Sequence, residues 1–487
     1  MKARELDNLG VPKALLKLAA ATCADLAKAG RSRQDVREAI TNLLARPGQF
    51  VSDEVLGPFA RALVGTPESQ RTPEPKRDQP APLNVWGLDD PRLAIDAAAM
   101  EQARDACRLP ISAACALMPD AHVGYGLPIG GVLATVNSVI PYAVGVDIAC
   151  RMKLSVLDIP ARALADAARR RSLVLAIESC TRFGVGAEFQ KPHEHDVLDA
   201  DWTVSPVTRR LKDKARAQLG TSGSGNHFVE WGVLTITDEH AKTAADPALL
   251  NGLAPGQYLA LLSHSGSRGT GAAVCDHYSR IAMDLHPHLD PALRRLAWLD
   301  LDSEPGRVYW MAMNLMGQYA AANHACIHDS IARELGAARL LDIENHHNFA
   351  WLETHDIAGL GRREVVVHRK GATPAGAGVL GVIPGSMNAP GFVVRGKGDP
   401  ASLASASHGA GRVMSRTRAR EAFVWGNVRR ELEAGGVELL SAGIDEAPGV
   451  YKDIHAVIAA QSDLIDVVAR FDPRIVKMAP EGERAED

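Results

Sequence analysis

The chain has 487 residues, 46% hydrophobic, 23% charged and only 5% aromatic, with a formal net charge of −4. This is the composition of a soluble globular protein too long for one simple core, so a large domain with an appendage, or two domains, is expected. The neutral balance gives no electrostatic case for nucleic acid beyond a local basic groove, and the few aromatics argue against a surface of base-stacking platforms. Seven cysteines (Cys23, Cys107, Cys115, Cys150, Cys180, Cys275 and Cys326) are odd in number, widely spaced and without a Cys-x-x-Cys pair. That usage fits reduced thiols in the cytoplasm, and the lack of a signal peptide or of an apolar run of transmembrane length points the same way.

In chain order, residues 1–65 read as a helical extension of three helices. Pro12 opens the first and Gly30 closes it. Ser32 and Asp35 form a capping pair for the second, which Pro47-Gly48 ends, and Ser52 with Asp53 and Glu54 starts the third. Residues 66–83 hold Pro67, Pro73, Pro75, Pro80 and Pro82 among polar neighbours and are expected to be an extended linker. From residue 84 short β-branched runs alternate with Gly-rich turns. Residues 131–140, 152–159, 258–262, 364–367, 379–383 and 392–395 read as strands, and 160–180, 271–284, 309–335, 412–432 and 452–469 as helices. With no fixed repeat and no steady strand–helix alternation, the expected class is α+β, a mixed catalytic domain over 84–478 followed by a charged tail, 479–487.

Five short runs carry the chemistry. Asp147-Ile148-Ala149-Cys150 offers a hard and a soft metal ligand, although alone it equally suits a turn aspartate and a buried thiol. Residues 220–227 form a glycine-dense loop ending in Asn226-His227, a pattern suited to phosphate and metal contact. His264-Ser265-Gly266-Ser267-Arg268 repeats that logic and adds a guanidinium for phosphate oxygens. In His346-His347-Asn348 only one imidazole can easily face a shared site; His347 is favoured as ligand and His346 as packing. His408 stands between Ser407 and Gly409-Ala410-Gly411, sterically open.

Histidine can itself be a nucleophile toward phosphorus. No Walker motif and no Lys-x-Asp-Gly is present, and the glycines of 124–131 are wrongly spaced for a dinucleotide fingerprint. A covalently carried nucleotide would therefore sit on His408. His324 and His328 are spaced i, i+4 without the glutamate of a His-Glu-x-x-His motif and read as ordinary helix-face residues. His193 and His195 read as solvated loop residues.

These runs, with Met118-Pro119-Asp120-Ala121-His122, Phe228-Val229-Glu230, His368-Arg369-Lys370-Gly371, Pro384-Gly385-Ser386-Met387 and Tyr451-Lys452-Asp453, occur in one order along 84–478. In that order they resemble the RtcB-type RNA-splicing ligases. The resemblance implies an RtcB-like fold and a GTP- and Mn2+-dependent ligase. Such an enzyme joins RNA 3′-phosphate or 2′,3′-cyclic phosphate ends to 5′-hydroxyl ends through a guanylate on His408, in RNA splicing or repair, with an activating protein as a further partner.

Carried onto this chain, the resemblance makes Asp147, Cys150, His227, His264 and His347 ligands of two Mn2+ ions, with Cys150 between them. Asn226, His227, Phe228, Val229, Glu230, His347, Asn348, Pro384, Gly385, Ser386, Met387, His408, Gly409, Ala410, Gly411 and Lys477 would line the nucleotide. Asp120, His122, Arg268 and Arg412 would lie nearer the RNA ends. The same ligands would also serve a dinuclear-metal phosphoesterase or nuclease, and an RNA-binding paralogue with a vestigial site is the third reading.

The chain departs from the family pattern in places. Asn388-Ala389-Pro390-Gly391-Phe392 replaces Gly-Thr-Ala-Ser-Tyr, removing a hydroxyl near guanine, and Ala149 and Arg151 stand where Asn and Gly are common. A charged tail follows Lys477-Met478, and the helical extension has no counterpart in the minimal pattern.

Overall fold

The computed structural model describes residues 5–483 except 7, 8, 10, 12–14, 29, 52, 54, 65–75, 78 and 245. Most of the expected linker, the helix-starting roles of Pro12 and Ser52, and residues 484–487 of the tail lie outside the described residues. The chain divides into two compact units, Met1–Glu74 and Pro75–Asp487.

The first unit carries helices α1 (Leu16–Lys28), α2 (Arg33–Ala45) and α3 (Gly57–Val64). Ser32 caps α2: its hydroxyl accepts from Asp35 N at 3.2 Å while its own N–H donates to the Asp35 carboxylate at 3.0 Å, satisfying two orphan donors reciprocally. Ile40, Leu43 and Phe59 are fully buried in its core.

The second unit is mixed. Besides a short pair, Ser138–Val139 with Leu299–Asp300, its strands in chain order are β1 (Leu83–Val85), β2 (Ser112–His122), β3 (Ile129–Thr135), β4 (Arg151–Pro160), β5 (Phe228–Ile236), β6 (Gly256–Ser265), β7 (Arg339–His346), β8 (Asn348–Ile357), β9 (Gly361–Lys370), β10 (Ala372–Pro374), β11 (Leu380–Ile383), β12 (Gly391–Gly396), β13 (Ser405–Ser407), β14 (Glu438–Ser441) and β15 (Ile465–Met478). Helices α4 (Ala97–Cys107), α5 (Ala167–Cys180), α6 (Pro206–Gln218), α7 (Arg268–Leu285), α8 (Glu304–Glu334) and α9 (Arg416–Ala422) pack among them. The class is α+β. No helix among the described residues is long and apolar enough to cross a membrane.

One sheet runs β1-β2-β3-β9-β8. The larger runs β11-β12-β15-β5-β6-β4-β7, with β14 beside β15. Its two ends meet through a side chain: Asn345 on β7 accepts from Val382 N on β11 at 2.8 Å and donates to Thr373 Oγ1 at 2.8 Å. An amide that carries both a donor and an acceptor can replace a ladder rung where the backbones do not pair, so the sheet nearly closes on itself.

The central strands of this sheet are largely buried on both faces. Trp231 on β5 has no solvent exposure and donates to Leu173 O of α5 at 3.0 Å. Its burial contributes roughly 2–3 kcal/mol. Behind β4 and β6 lies α8, whose His324 and His328 are fully buried. Ser263 Oγ lies 2.8 Å from each ring, and His324 Nε2 donates to Ser265 O at 3.0 Å. They are thus hydrogen-bonded interior residues, belonging to none of the metal-ligand groups found among the described residues.

The expected helix over 452–469 is corrected. It stops at Ala459, and β15 begins at Ile465, where β-branched residues enter the centre of the large sheet. His193 is not solvated either. Its ring packs edge-on to Phe189 at 4.7 Å and against Gly220, whose positive φ of 82° leaves the space that a β-carbon would fill.

Candidate active site

Antiparallel pairing decides where the site forms. In the order β5-β6-β4-β7, alternate strands run in opposite directions, so the starts of β5 and β4 share an edge with the ends of β6 and β7. His227 immediately precedes β5, Cys150 immediately precedes β4, His264 is near the end of β6 and His347 follows β7. Four segments spread over about two hundred residues therefore deliver side chains to one rim. The loops are tied together by main-chain bonds: His347 N donates to Cys150 O at 2.9 Å, and Ala149 N to Asn348 O at 2.6 Å. Ala149 holds a left-handed φ of 58°, a strained conformation for a residue with a β-carbon, and it turns Cys150 inward.

On that rim the ligand atoms form two buried triads, Asp147–Cys150–His227 and Cys150–His264–His347, each within 4.8 Å and sharing the thiol. Cys150 Sγ lies 3.3 Å from His227 Nε2 and 3.1 Å from His264 Nε2, and the latter lies 3.2 Å from His347 Nε2. His227 Nε2 is 3.1 Å from Asp147 Oδ2. His264 donates from Nδ1 to Asn226 O at 3.0 Å, which fixes its tautomer and turns the Nε2 lone pair toward the cluster. Burial pushes the His264 and His347 imidazoles well below their usual range, so both present neutral lone pairs. Burial would raise Asp147, but His227, the Cys150 hydrogen bond and the Arg268 charge together outweigh it and hold the carboxyl below its usual range. Lone pairs, a thiol and a carboxylate gathered out of water make each triad a group that could hold a metal ion, with the soft sulfur common to both.

Next to it stands His408. Its Nδ1 donates to Asp120 Oδ2 at 2.7 Å, and the same oxygen accepts from His408 N at 3.2 Å and Gly409 N at 3.4 Å. The His408 ring centroid is 4.9 Å from that of His347. With Nδ1 engaged, Nε2 is the nitrogen left for chemistry. Burial would raise Asp120, yet His408, His122 and Lys452 around it hold its carboxyl below the usual range.

Both groups face a cavity of about 880 Å³, a size that takes a nucleotide. One wall holds Glu230, Phe228, Met387 and Met478, with burial pushing the Glu230 carboxyl well above its usual range. Among the described residues no hydrogen bond reaches that carboxylate, so it is poised for a ligand's N–H groups. Another wall holds Lys370, whose ammonium burial pushes down to about 7 and whose Nζ donates to Tyr125 O.

Among the sequence-based candidates, Asn226, His227, Phe228, Glu230, His347, Asn348, Pro384, Gly385, Ser386, Met387 and His408 to Gly411 all line this cavity, with Asp147, Cys150 and His264. Val229 and Lys477 do not. Side chains alternate along β5, so Phe228 and Glu230 face the cavity while Val229 enters the core on the other face with Trp231. Lys477 is registered opposite Val229, shares its face, and pairs with Glu178 at 3.0 Å. Val476 and Met478 take the cavity positions instead.

Arg268 is also away from the cavity. It is 2% exposed and donates to Thr221 Oγ1 at 3.1 Å and Gly184 O at 2.9 Å. His122 and Arg412 line the cavity. Sequence reasoning missed the Asp120–His408 pair; the only signal was Asp120 in a Pro-Asp-Ala-His run, 288 positions away.

The family model described as tRNA-splicing ligase RtcB matches residues 102–205 and 200–478. The chain belongs to the RtcB family. Over 427 residues it is 32% identical to the RNA-splicing ligase RtcB of Escherichia coli K12, an alignment covering 80% of this chain and 95% of that protein. The RNA-splicing ligase RtcB of Mycobacterium tuberculosis is 33% identical over 421 residues, with 73% and 94% covered. The tRNA-splicing ligase RtcB of Nanoarchaeum equitans is 31% identical over 437 residues, with 76% and 90% covered. This RtcB homologue thus spans nearly the full length of bacterial and archaeal members alike.

Proposed function

We propose that the protein is a cytoplasmic RNA ligase that joins 3′-phosphate or 2′,3′-cyclic phosphate ends to 5′-hydroxyl ends, carrying GMP on His408. The observation that supports this most strongly is the contact of the Asp120-bound His408 ring with a triad ligand, His347, at the wall of one cavity.

Asp120 holds Nδ1–H as a donor, which keeps the Nε2 lone pair available and stabilises the ring as Nε2 bonds to phosphorus. The bond formed is Nε2 to the α-phosphorus of GTP, and the bond broken releases pyrophosphate. A 2′,3′-cyclic phosphate end is first opened by water at its P–O2′ bond to the 3′-phosphate, and the guanylate then passes to that 3′-phosphate, freeing His408. Attack by the 5′-hydroxyl on the activated phosphate forms the phosphodiester and releases GMP. A phosphate monoester is a poor electrophile, and the guanylate gives it a leaving group. Asp147, Cys150, His227, His264 and His347 would hold two Mn2+ ions, which when bound supply the positive charge that neutralises phosphate oxygens. Glu230 would accept from guanine N–H groups, with Phe228 and the methionines against the base.

Incubation with α-labelled GTP and Mn2+, followed by a denaturing gel, tests the reading. An acid-labile, base-stable label on the wild type and none on His408→Ala is the expected result. Hydrolysis of RNA ends without GTP would make the protein a phosphoesterase. RNA binding that ignores metal and GTP would leave it a binding protein.

A further inference from the structure

The run Tyr451-Lys452-Asp453 is not used by the chemistry above, yet Lys452 is only 6% exposed. Taking an ammonium out of water is costly unless its three donors find acceptors. Lys452 Nζ reaches Pro119 O at 2.9 Å, Ala121 O at 3.0 Å and Leu93 O at 3.4 Å. Pro119 and Ala121 flank Asp120, so the ammonium grips the backbone on both sides of the carboxylate that accepts the His408 Nδ1–H hydrogen bond.

The same residue reaches the other half of the pair through its main chain. Lys452 N donates to Gly411 O at 2.9 Å, Val413 N donates to Val450 O at 2.8 Å, and Arg412 bridges Tyr451. Gly411 ends the loop that carries His408, and it packs so tightly on Asp120 that a β-carbon there would lie 2.0 Å from Asp120 O. Lys452 is thus bonded by its side chain to the segment bearing Asp120 and by its backbone to the segment bearing His408.

A lysine serving only to fill the core would be better replaced by an apolar side chain of similar length. Here the cation lies beside a fully buried carboxylate whose Oδ1 has no hydrogen-bond partner among the described residues. A positive charge at that point favours the ionised aspartate, which in turn keeps His408 Nδ1 as the donor.

We propose that Lys452 is the positioning residue of the His408–Asp120 pair, fixing the two segments to one another. The proposal rests on the reading of His408 as the nucleotide carrier, but its first readout needs neither nucleotide nor metal.

The test compares full-length wild type, Lys452→Met and Lys452→Arg. The first measurement is the proton resonance of His408 Nδ1–H in 15N-histidine-labelled protein, assigned by its loss in His408→Ala. The second is the rate and KM of label transfer from α-labelled GTP. Lys452→Met should shift the resonance or lose it to exchange with water. It should slow labelling at saturating GTP by about 10²-fold, the cost of a misplacement near 1 Å, with KM changed less than about threefold. Lys452→Arg should lie between.

A resonance and a labelling rate both as in wild type would overturn the proposal. If Lys452→Met does not fold, Lys452→Arg decides by the same two readouts: moved and slowed supports the role, unchanged on both counts removes it. If the wild type takes no label while the resonance still moves in Lys452→Met, the ligase reading fails and the positioning role stands.

Discussion

Gly266 faces the Asp147 carboxylate so closely that a β-carbon on it would lie 2.1 Å from Oδ2. The glycine is therefore the wall against which this carboxylate rests, and Ser267 N, donating to Oδ1 at 3.1 Å, fixes its angle. Gly266→Ala should displace Asp147 and weaken metal uptake at its triad by roughly 10–100-fold, as loss of a ligand's support commonly does. Metal titration of the variant followed by mass-spectrometric metal counting would show one weakened site and one normal site; two normal sites would contradict the geometry.

Because the two triads share the Cys150 sulfur, their losses should be unequal. Cys150→Ala should abolish both bound ions, while His227→Ala and His347→Ala should each spare the opposite triad. Metal content per chain, measured after dialysis against a weak chelator, separates the cases. Equal loss from all three variants would argue against two adjoining sites.

Asp120→Asn keeps the shape of the partner of His408 but replaces the acceptor with an amide that can present N–H to Nδ1, favouring the wrong tautomer. Labelling by GTP should fall by roughly 10³–10⁴-fold, with metal content unchanged. A fall of less than tenfold would mean that Nδ1 is held by something else.

Glu230 carries a pH signature. Its folded pKa is raised by burial above the ordinary carboxylate value, so the folded chain binds this proton more tightly than the unfolded chain. Its contribution is complete at low pH and is lost as pH climbs from the ordinary carboxylate range toward the folded value. Glu230→Gln removes that dependence. Between about pH 5 and about pH 8, the stability of the variant relative to wild type should rise by about 1–3 kcal/mol, the cost of an unsatisfied buried charge. Denaturant unfolding of metal-free protein at the two pH values measures it, and a constant difference would place Glu230 in a wetter site.

Asn345→Ala removes the amide that joins β7 to β11 and leaves Val382 N without its 2.8 Å acceptor. A loss of about 2–3 kcal/mol is expected in chemical denaturation, since a buried donor is stranded as well as a bond lost.

The class could be read from the sequence, and so could Asp147, Cys150, His227, His264 and His347 as candidates, because most of them sit in short runs with small or polar neighbours. The α+β class followed from strand and helix patterns lacking alternation. What could not be read was facing. Phe228, Val229 and Glu230 are adjacent in sequence, and only the pleat of β5 decides that the middle one turns away, taking its registered partner Lys477 with it. Distance in the chain hid the rest. The Asp120–His408 pair depends on packing between β2 and the loop after β13, which no local pattern encodes. Ile465–Met478 read in part as helix because its apolar residues are dense on both faces, and density alone does not separate a buried strand from a buried helix.

The position of β15 has a consequence for biogenesis. It is the last strand in chain order but lies inside the large sheet, between β12 and β5. While the chain is being synthesised, β11-β12 and β5-β6-β4-β7 can each form, yet they stay unstitched on that side, with edges exposed, until residues 465–478 emerge. The rim that gathers Cys150, His227, His264 and His347 can exist before then, whereas the cavity wall supplied by Val476 and Met478 cannot. A ribosome stalled short of residue 465 would thus hold a chain with its rim assembled, one cavity wall missing and two raw sheet edges open to chaperones or to aggregation.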